Sequence, residues 1–128
     1  MTRRVRGRTG GRGFAKFGNI KVASPEGEFD SKAEYSRWGV LKLLAQAGEI
    51  YNLRRQVRIP LEVAGKRLGV YVADFVYDTF PVLQDEHSPI LSSYAVVEDT
   101  KGVRTALFKW KARHFEAQYG FPIRETKA

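Results

Sequence analysis

Apolar residues recur at helical spacing in two segments of the chain, and both segments are predicted helices. In residues 31–48 the apolar stripe consists of Trp38, Leu41 and Ala45. Glu34 lies on the same stripe, and it also completes an S-x-x-E capping box with Ser31, while Gly48 is a plausible stop. In residues 105–120 the stripe consists of Phe108, Ala112, Phe115 and Tyr119.

Alternating apolar and polar positions predict two strands, at residues 52–63 and 66–77. One face of the first strand would carry Leu53, Arg55, Val57 and Ile59. One face of the second would carry Tyr71, Ala73, Phe75 and Tyr77, and its other face ends at Asp74. Residues 94–100 begin apolar on both faces, which indicates a third strand in the middle of a sheet. Residues 78–93 carry turn residues and are predicted to form a loop.

The order helix, strand, strand, strand, helix predicts the α/β class, with a small mixed β-sheet flanked by helices. A chain of 128 residues fits one domain. No apolar run reaches the roughly 18 residues of a membrane helix, and no secretory signal follows the N-terminal arginines, so we expect no membrane partner. The absence of cysteine excludes disulfides and thiolate metal sites and is typical of a reducing cytoplasm.

Basic charge is concentrated at the N-terminus. Residues 1–22 hold seven basic side chains and no acidic one, whereas the remainder holds 15 basic and 14 acidic side chains. This Gly/Arg-rich segment lacks periodicity, so we predict a flexible basic arm over residues 1–23 and a folded domain over residues 24–128. Such an arm suits nucleic acid, with contacts from Arg3, Arg4, Arg6, Arg8, Arg12 and Lys16. A tail that only aids solubility would have the same composition.

The segment "VVEDTKG" ends the third predicted strand with acids and a lysine. Because residues i and i+2 share a strand face, Asp99 and Lys101 are expected to point together and Glu98 away. The acid-x-lysine pattern also occurs at residues 30–32 and 125–127, at a helix start and in a polar tail. Only the match at Asp99 ends a strand that is predicted to be buried.

If the second and third strands pair, Asp74 and Asp99 converge at one mouth of the sheet. Two carboxylates there favour Mg²⁺ or Mn²⁺, and the Thr100 carbonyl would complete the ligand set. Lys101 would then orient the attacking water or offset charge on a phosphoryl group, which suits phosphodiester hydrolysis. The same spacing also fits an ordinary ion pair between Asp99 and Lys101, with Asp74 unrelated.

Three basic residues and one acid have two interpretations each. A capping hydrogen bond to the Ser31 amide explains Glu34, but its place on the apolar stripe also suits an inward role toward a metal or a lysine. On the second helix, a solvated face or a contact with a phosphate backbone would explain Lys109, Lys111 and Arg113.

Five segments together resemble the small phage and prophage nucleases of the PD-(D/E)XK superfamily: "FDSKAEYSRW", "LRRQVRIPL", "YVADFVY", "VVEDTKG" and a closing helix that ends in "AQYG". The resemblance covers roughly residues 29–120. A prophage family of uncharacterised domains is the nearest relative that we can name, and archaeal-type Holliday-junction resolvases are more distant.

The resemblance implies a restriction-endonuclease-like core and a Mg²⁺-dependent DNA endonuclease that selects branched or four-way junction DNA. It makes Asp74 the first acid of the motif, Asp99 the second and Lys101 its lysine, while Glu34 joins the metal shell and Gln56 lies near the site. Ala73 stands where many members have a proline. The resemblance further implies a homodimer acting in the cytoplasm of a bacterial host cell.

Two other functions fit the same sequence. One is a nucleic-acid-binding module without catalysis, on a degenerate nuclease fold. The other is a phage structural or packaging protein whose arm grips DNA or RNA.

Overall fold

The computed structural model describes residues 21–127. A four-stranded mixed sheet has the order β3-β4-β5-β6, with antiparallel pairs except for the parallel pair of β5 and β6. A small hairpin of β1 and β2 precedes it. The predicted α/β class with a small mixed sheet is confirmed. The elements are β1 (Val22–Ser24), β2 (Gly27–Phe29), α1 (Lys32–Gln46), β3 (Tyr51–Val63), β4 (Lys66–Asp78), β5 (Ala95–Lys101), α2 (Ala106–Tyr119) and β6 (Arg124–Lys127).

Local capping explains where both helices begin and end. The Ser31 hydroxyl accepts from the Glu34 amide at the start of α1, and the Thr105 side chain accepts from the Phe108 amide at the start of α2. Gly120 ends α2 in the left-handed conformation that glycine adopts most readily, with φ of 87°. The two predicted helices are therefore confirmed to within a residue or two.

The helices pack on opposite faces of the sheet. On one face, Phe108 and Phe115 of α2 join a core that includes Tyr71 and Val97. On the other face, Leu41 of α1 joins a core that includes Ile50, Phe75 and Tyr77. Each fully buried large apolar side chain contributes about 1.5–3 kcal/mol to this packing. As predicted, β5 lies inside the sheet, between β4 and β6.

The predicted alternation along β3 and β4 is wrong at one point. Leu53 packs in the core beside α1, whereas Val57 packs in the core beside α2. In β4, Ala73 belongs to the α2 side and Phe75 to the α1 side. The physical reason is a positive φ of 54° at Gln56, a conformation that interrupts the pleat.

Asp74 lies opposite this irregular residue. The flanking ladder pairs are Arg55 with Phe75 and Val57 with Ala73, so Gln56 faces Asp74 across the two strands. Both strands exchange their faces at this level. We predicted that Asp74 continues one apolar face of β4. It lies instead where the two faces meet.

Two elements were not predicted. The hairpin of β1 and β2 includes Val22 and Ala23, which belong to the segment assigned to the arm. Residues 125–127 lie in β6 rather than in a polar tail, and they pair with the end of β5. Residues 1–20 of the predicted arm lie outside the described residues. Neither α1 nor α2, the helices of the described part, has the length and apolar character needed to cross a membrane.

Candidate active site

Asp74 and Asp99 come together where β4 and β5 part. The last ladder pair between these strands is Phe75 with Glu98, so Asp74 and Asp99 occupy the next position. Beyond it, the Thr100 amide donates to Oδ2 of Asp74 at 2.8 Å. A side-chain carboxylate thus replaces the backbone acceptor of a regular ladder, and this holds Asp74 at the mouth of the sheet.

Asp99 is nearly fully buried, at 1% exposure, on the α2 side of the sheet. The Tyr71 hydroxyl donates to its Oδ2, and Lys101 Nζ lies 3.3 Å from its Oδ1 without a hydrogen bond. Burial raises the pKa of Tyr71 well above its usual range, so the hydroxyl remains a donor. As predicted, Asp99 and Lys101 share a side of β5.

Asp74 is held in an environment that disfavours its negative charge. Burial raises the pKa of Asp74 to about 9, and the neighbouring Asp99 carboxyl adds to the rise. Glu34 contributes a further, smaller repulsion, while the Thr100 amide opposes the rise. Two close carboxyls with too little positive charge between them bind a proton or a cation favourably.

Glu34 projects from the first turn of α1 and is 2% exposed. Its Oε1 accepts from the Asp30 amide at 3.3 Å, and not from the predicted Ser31 amide, so the capping box is only half formed. Its Oε2 accepts from Gln56 Nε2 at 3.1 Å and lies 3.8 Å from Arg55 Nη2. Burial raises the pKa of Glu34, and the nearby Asp30 charge adds to this.

Gln56 thus has two consequences for the site. Its backbone interrupts the alternation opposite Asp74, and its side chain holds Glu34. Both follow from the positive φ, which turns consecutive side chains of β3, Arg55 and Gln56, toward the same glutamate.

A cavity of about 170 Å³ lies between Glu34 and Asp74. Its lining includes Glu34, Asp74, Thr100 and Lys101. Asp99 borders a separate pocket of about 220 Å³ with Tyr71 and Lys111, and Lys101 borders both pockets. The three predicted acids, Glu34 on α1, Asp74 on β4 and Asp99 on β5, therefore line the two pockets that meet at Lys101.

The predicted DNA contacts divide into three groups. The arm residues Arg3, Arg4, Arg6, Arg8, Arg12 and Lys16 lie outside the described residues. Lys109 and Arg113 are exposed on α2. Lys111 Nζ donates to the Val70 carbonyl at 2.9 Å and borders the pocket of Asp99, so Lys111 is the one of these three helix residues that adjoins Asp99.

The donor set fits a hard divalent cation in its chemistry. Carboxylate oxygens are the ligands that Mg²⁺ and Mn²⁺ prefer, and Asp99 Oδ1 is a buried oxygen without a hydrogen bond. Within residues 21–127, however, no three His, Cys, Asp or Glu side chains are gathered closely enough to form a metal group. Asp74 and Asp99 are the pair that would hold a cation, with Glu34 and the Thr100 carbonyl as the further predicted ligands.

Two neighbours of the acids, Tyr71 and Arg55, were not predicted from the sequence. Tyr71 lies three residues before Asp74 and was predicted on the opposite face, so no periodic pattern relates it to Asp99. Arg55 was predicted as part of an apolar face. Its guanidinium instead lies 3.8 Å from the centroid of the Phe29 ring and donates to the Glu28 carbonyl, which ties the hairpin to the site.

A family model described as "Protein of unknown function (DUF1064)" matches residues 14–126. The chain belongs to the DUF1064 family. No curated protein matches the chain. No solved structure matches it either. The DUF1064 match spans Glu34, Gln56, Asp74, Asp99 and Lys101, so all five side chains belong to the family domain.

Proposed function

We propose that this DUF1064 chain is a Mg²⁺-dependent endonuclease of the PD-(D/E)XK type that hydrolyses phosphodiester bonds in branched or four-way junction DNA. One observation carries the proposal. Asp74 and Asp99 occupy the point where β4 and β5 part, with Lys101 Nζ 3.3 Å from Asp99. The mixed sheet with a helix on each face supports a restriction-endonuclease-like core.

Each residue has a role that follows from its contacts. A cation bound by Asp74 and Asp99 would act as a Lewis acid on a phosphoryl oxygen. Lys101 supplies positive charge beside the phosphoryl group and orients the attacking water. The Thr100 amide holds Asp74, and the Tyr71 hydroxyl holds Asp99. Hydrolysis adds water across one P–O bond and yields a phosphomonoester and an alcohol.

Glu34 and Gln56 act from α1 and β3. The hydrogen bond of 3.1 Å between them orients the glutamate toward the cavity that it shares with Asp74. Glu34 would therefore supply a further carboxylate oxygen to a cation held by Asp74 and Asp99. We propose that the protein acts as a homodimer, because two copies would cut the two strands of a junction symmetrically.

Cleavage of labelled substrates tests the proposal. The full chain is incubated in Mg²⁺ with a four-way junction, a linear duplex and a single strand, and then compared with Asp74→Asn, Asp99→Asn and Lys101→Ala. We expect each variant to lose at least about 100-fold in rate, or about 2.7 kcal/mol of transition-state stabilisation. EDTA should abolish cleavage by the parent protein.

The matched control is Glu116→Gln, which removes an exposed carboxylate from α2. This variant should cut at the rate of the parent. If Asp74→Asn, Asp99→Asn and Lys101→Ala all do the same, the site assignment is wrong.

One observation favours a second function, a nucleic-acid-binding module without catalysis. Within the described residues, three ligating side chains are not gathered into a metal group. For such a module, calorimetry would detect no Mg²⁺ binding, and Asp74→Asn would bind DNA as tightly as the parent protein.

A further inference from the structure

The strand β6 repeats the acid-threonine-lysine motif of β5 beside it. The two strands are parallel, and the ladder pairs Asp99 with Glu125, Thr100 with Thr126 and Lys101 with Lys127. The two threonine hydroxyls lie 3.0 Å apart. In-register parallel neighbours project from the same face of a sheet, so each residue of one motif stands beside its counterpart.

Such a ladder places like charges next to each other, which is unfavourable without compensation. Asp99 is compensated by Lys101 at 3.3 Å, and Glu125 is compensated by Arg104, whose Nε lies 2.8 Å from Oε1. No ion pair within residues 21–127 involves Lys127. An ammonium group is therefore held beside Lys101 without a carboxylate of its own.

A cavity of about 410 Å³ opens at the ends of these two strands. It is lined by Lys101, Gly102, Arg104, Glu125, Thr126 and Lys127. Three of these residues are cationic, and the one acid already pairs with Arg104. The lining has no apolar side chain, so the cavity suits a hydrated, negatively charged group.

We propose that this cavity binds a backbone phosphodiester of the nucleic acid, adjacent to the one that is cleaved. Lys127 is its main charged contact. The Thr126 hydroxyl donates to it while accepting from the Thr100 hydroxyl, which lies 3.0 Å away. Lys101 borders both this cavity and the one that contains Asp74, so a strand bound here continues across the carboxylates. This assignment of the neighbouring phosphate rests on the proposed function, whereas the phosphate binding itself does not need catalysis.

Binding without cleavage tests the subsite. The affinity of the full chain for a labelled duplex is measured in EDTA over a series of salt concentrations. Removing one phosphate contact with Lys127→Gln should lower the log–log salt slope by about 0.9, and by about 0.7 for a single strand. Thr126→Val should weaken binding a few-fold without a change in slope, because no charge is lost.

The matched control is Lys66→Gln, which removes an exposed lysine at the start of β4. Lys127→Arg should keep the slope of the parent, and thermal melting should show that all four variants are folded. If Lys127→Gln changes the slope no more than Lys66→Gln, the subsite is wrong. If Lys127→Gln lowers the slope but Asp74→Asn does not affect cleavage, the subsite stands and the nuclease assignment falls.

Discussion

Two neighbouring acids on β5, Glu98 and Asp99, are both buried, yet their surroundings differ. Glu98 faces α1, where Arg37 donates to its two oxygens at 2.9 Å and 2.8 Å and the Tyr77 hydroxyl donates as well. Asp99 faces α2, where one oxygen has the Tyr71 hydroxyl and the other has only Lys101 at 3.3 Å. Both carboxylate oxygens of Glu98 therefore accept hydrogen bonds, whereas Oδ1 of Asp99 accepts none.

The difference shows in the pKa values. Burial alone would raise the pKa of Glu98, but the hydrogen bonds from Arg37 and Tyr77 outweigh it and lower that pKa. Beside Asp99, burial and the second carboxyl raise the pKa of Asp74 to about 9. A buried acid with a full set of donors stabilises a fold, whereas a buried acid pair without one is a candidate for binding and catalysis.

The largest expected effect concerns stability. Arg37→Ala should lower the free energy of unfolding by about 3–5 kcal/mol, because it leaves the Glu98 charge buried without its partner. Asp99→Asn should cost much less, since it relieves the repulsion with Asp74. Urea denaturation measures both variants. A loss below about 1 kcal/mol for Arg37→Ala would contradict the stabilising role of the pair between Arg37 and Glu98, because that value is typical of a surface ion pair.

The next effect is a dependence of stability on pH in EDTA. The pKa of Asp74 is raised from 3.8 to about 9 on folding, so the folded state binds more protons than the unfolded state between these values. Stability therefore falls as pH rises through this range, by at most about 1.4 kcal/mol per pH unit.

Asp74→Asn removes this titration and should flatten the decline. Urea denaturation between pH 5 and pH 8.5 compares the two proteins. Equal slopes for the parent and Asp74→Asn would show that Asp74 is not the group responsible.

The smallest effect concerns the irregular residue opposite Asp74. Gln56→Val should be less stable than Gln56→Gly by about 1–2 kcal/mol, because a β-branched residue tolerates a positive φ poorly. Both variants lose the hydrogen bond to Glu34, so their difference isolates the backbone. Thermal melting measures the stabilities of the two variants. Equal stabilities would argue against the positive φ, and therefore against the face exchange, at Gln56.

The predictability of each element follows from its length and its local chemistry. Both helices carry their own caps, Ser31 and Thr105, and their stripes repeat over about two and about three turns, so the sequence was sufficient for them. The hairpin strands have three residues each and β6 has four, which is too short for a periodic pattern. The sequence of β6, "RETK", is also entirely polar, so only its pairing with β5 makes it a strand.

The candidate site was predictable in part. Asp74, Asp99 and Lys101 were expected to meet, and the structure brings them together at the end of the β4–β5 ladder. Asp99 and Lys101 follow the predicted alternation, since β5 is regular, whereas Asp74 does not, since β4 exchanges its faces there. Tyr71 escaped notice because its contact with Asp99 spans two strands and that exchange.

The sequence by itself determined the helix ends, the opposite directions of Glu98 and Asp99, and the concentration of basic charge in the first 22 residues. Capping, strand alternation and charge act over a few residues, so a single segment contains all that they require. Only the tertiary structure decided the face exchange at Gln56 and Asp74 and the register that sets Lys127 beside Lys101. It also decided that only one carboxylate oxygen of Asp99 accepts a hydrogen bond. These features depend on which distant strands pair and at which residue, and no single segment carries that information.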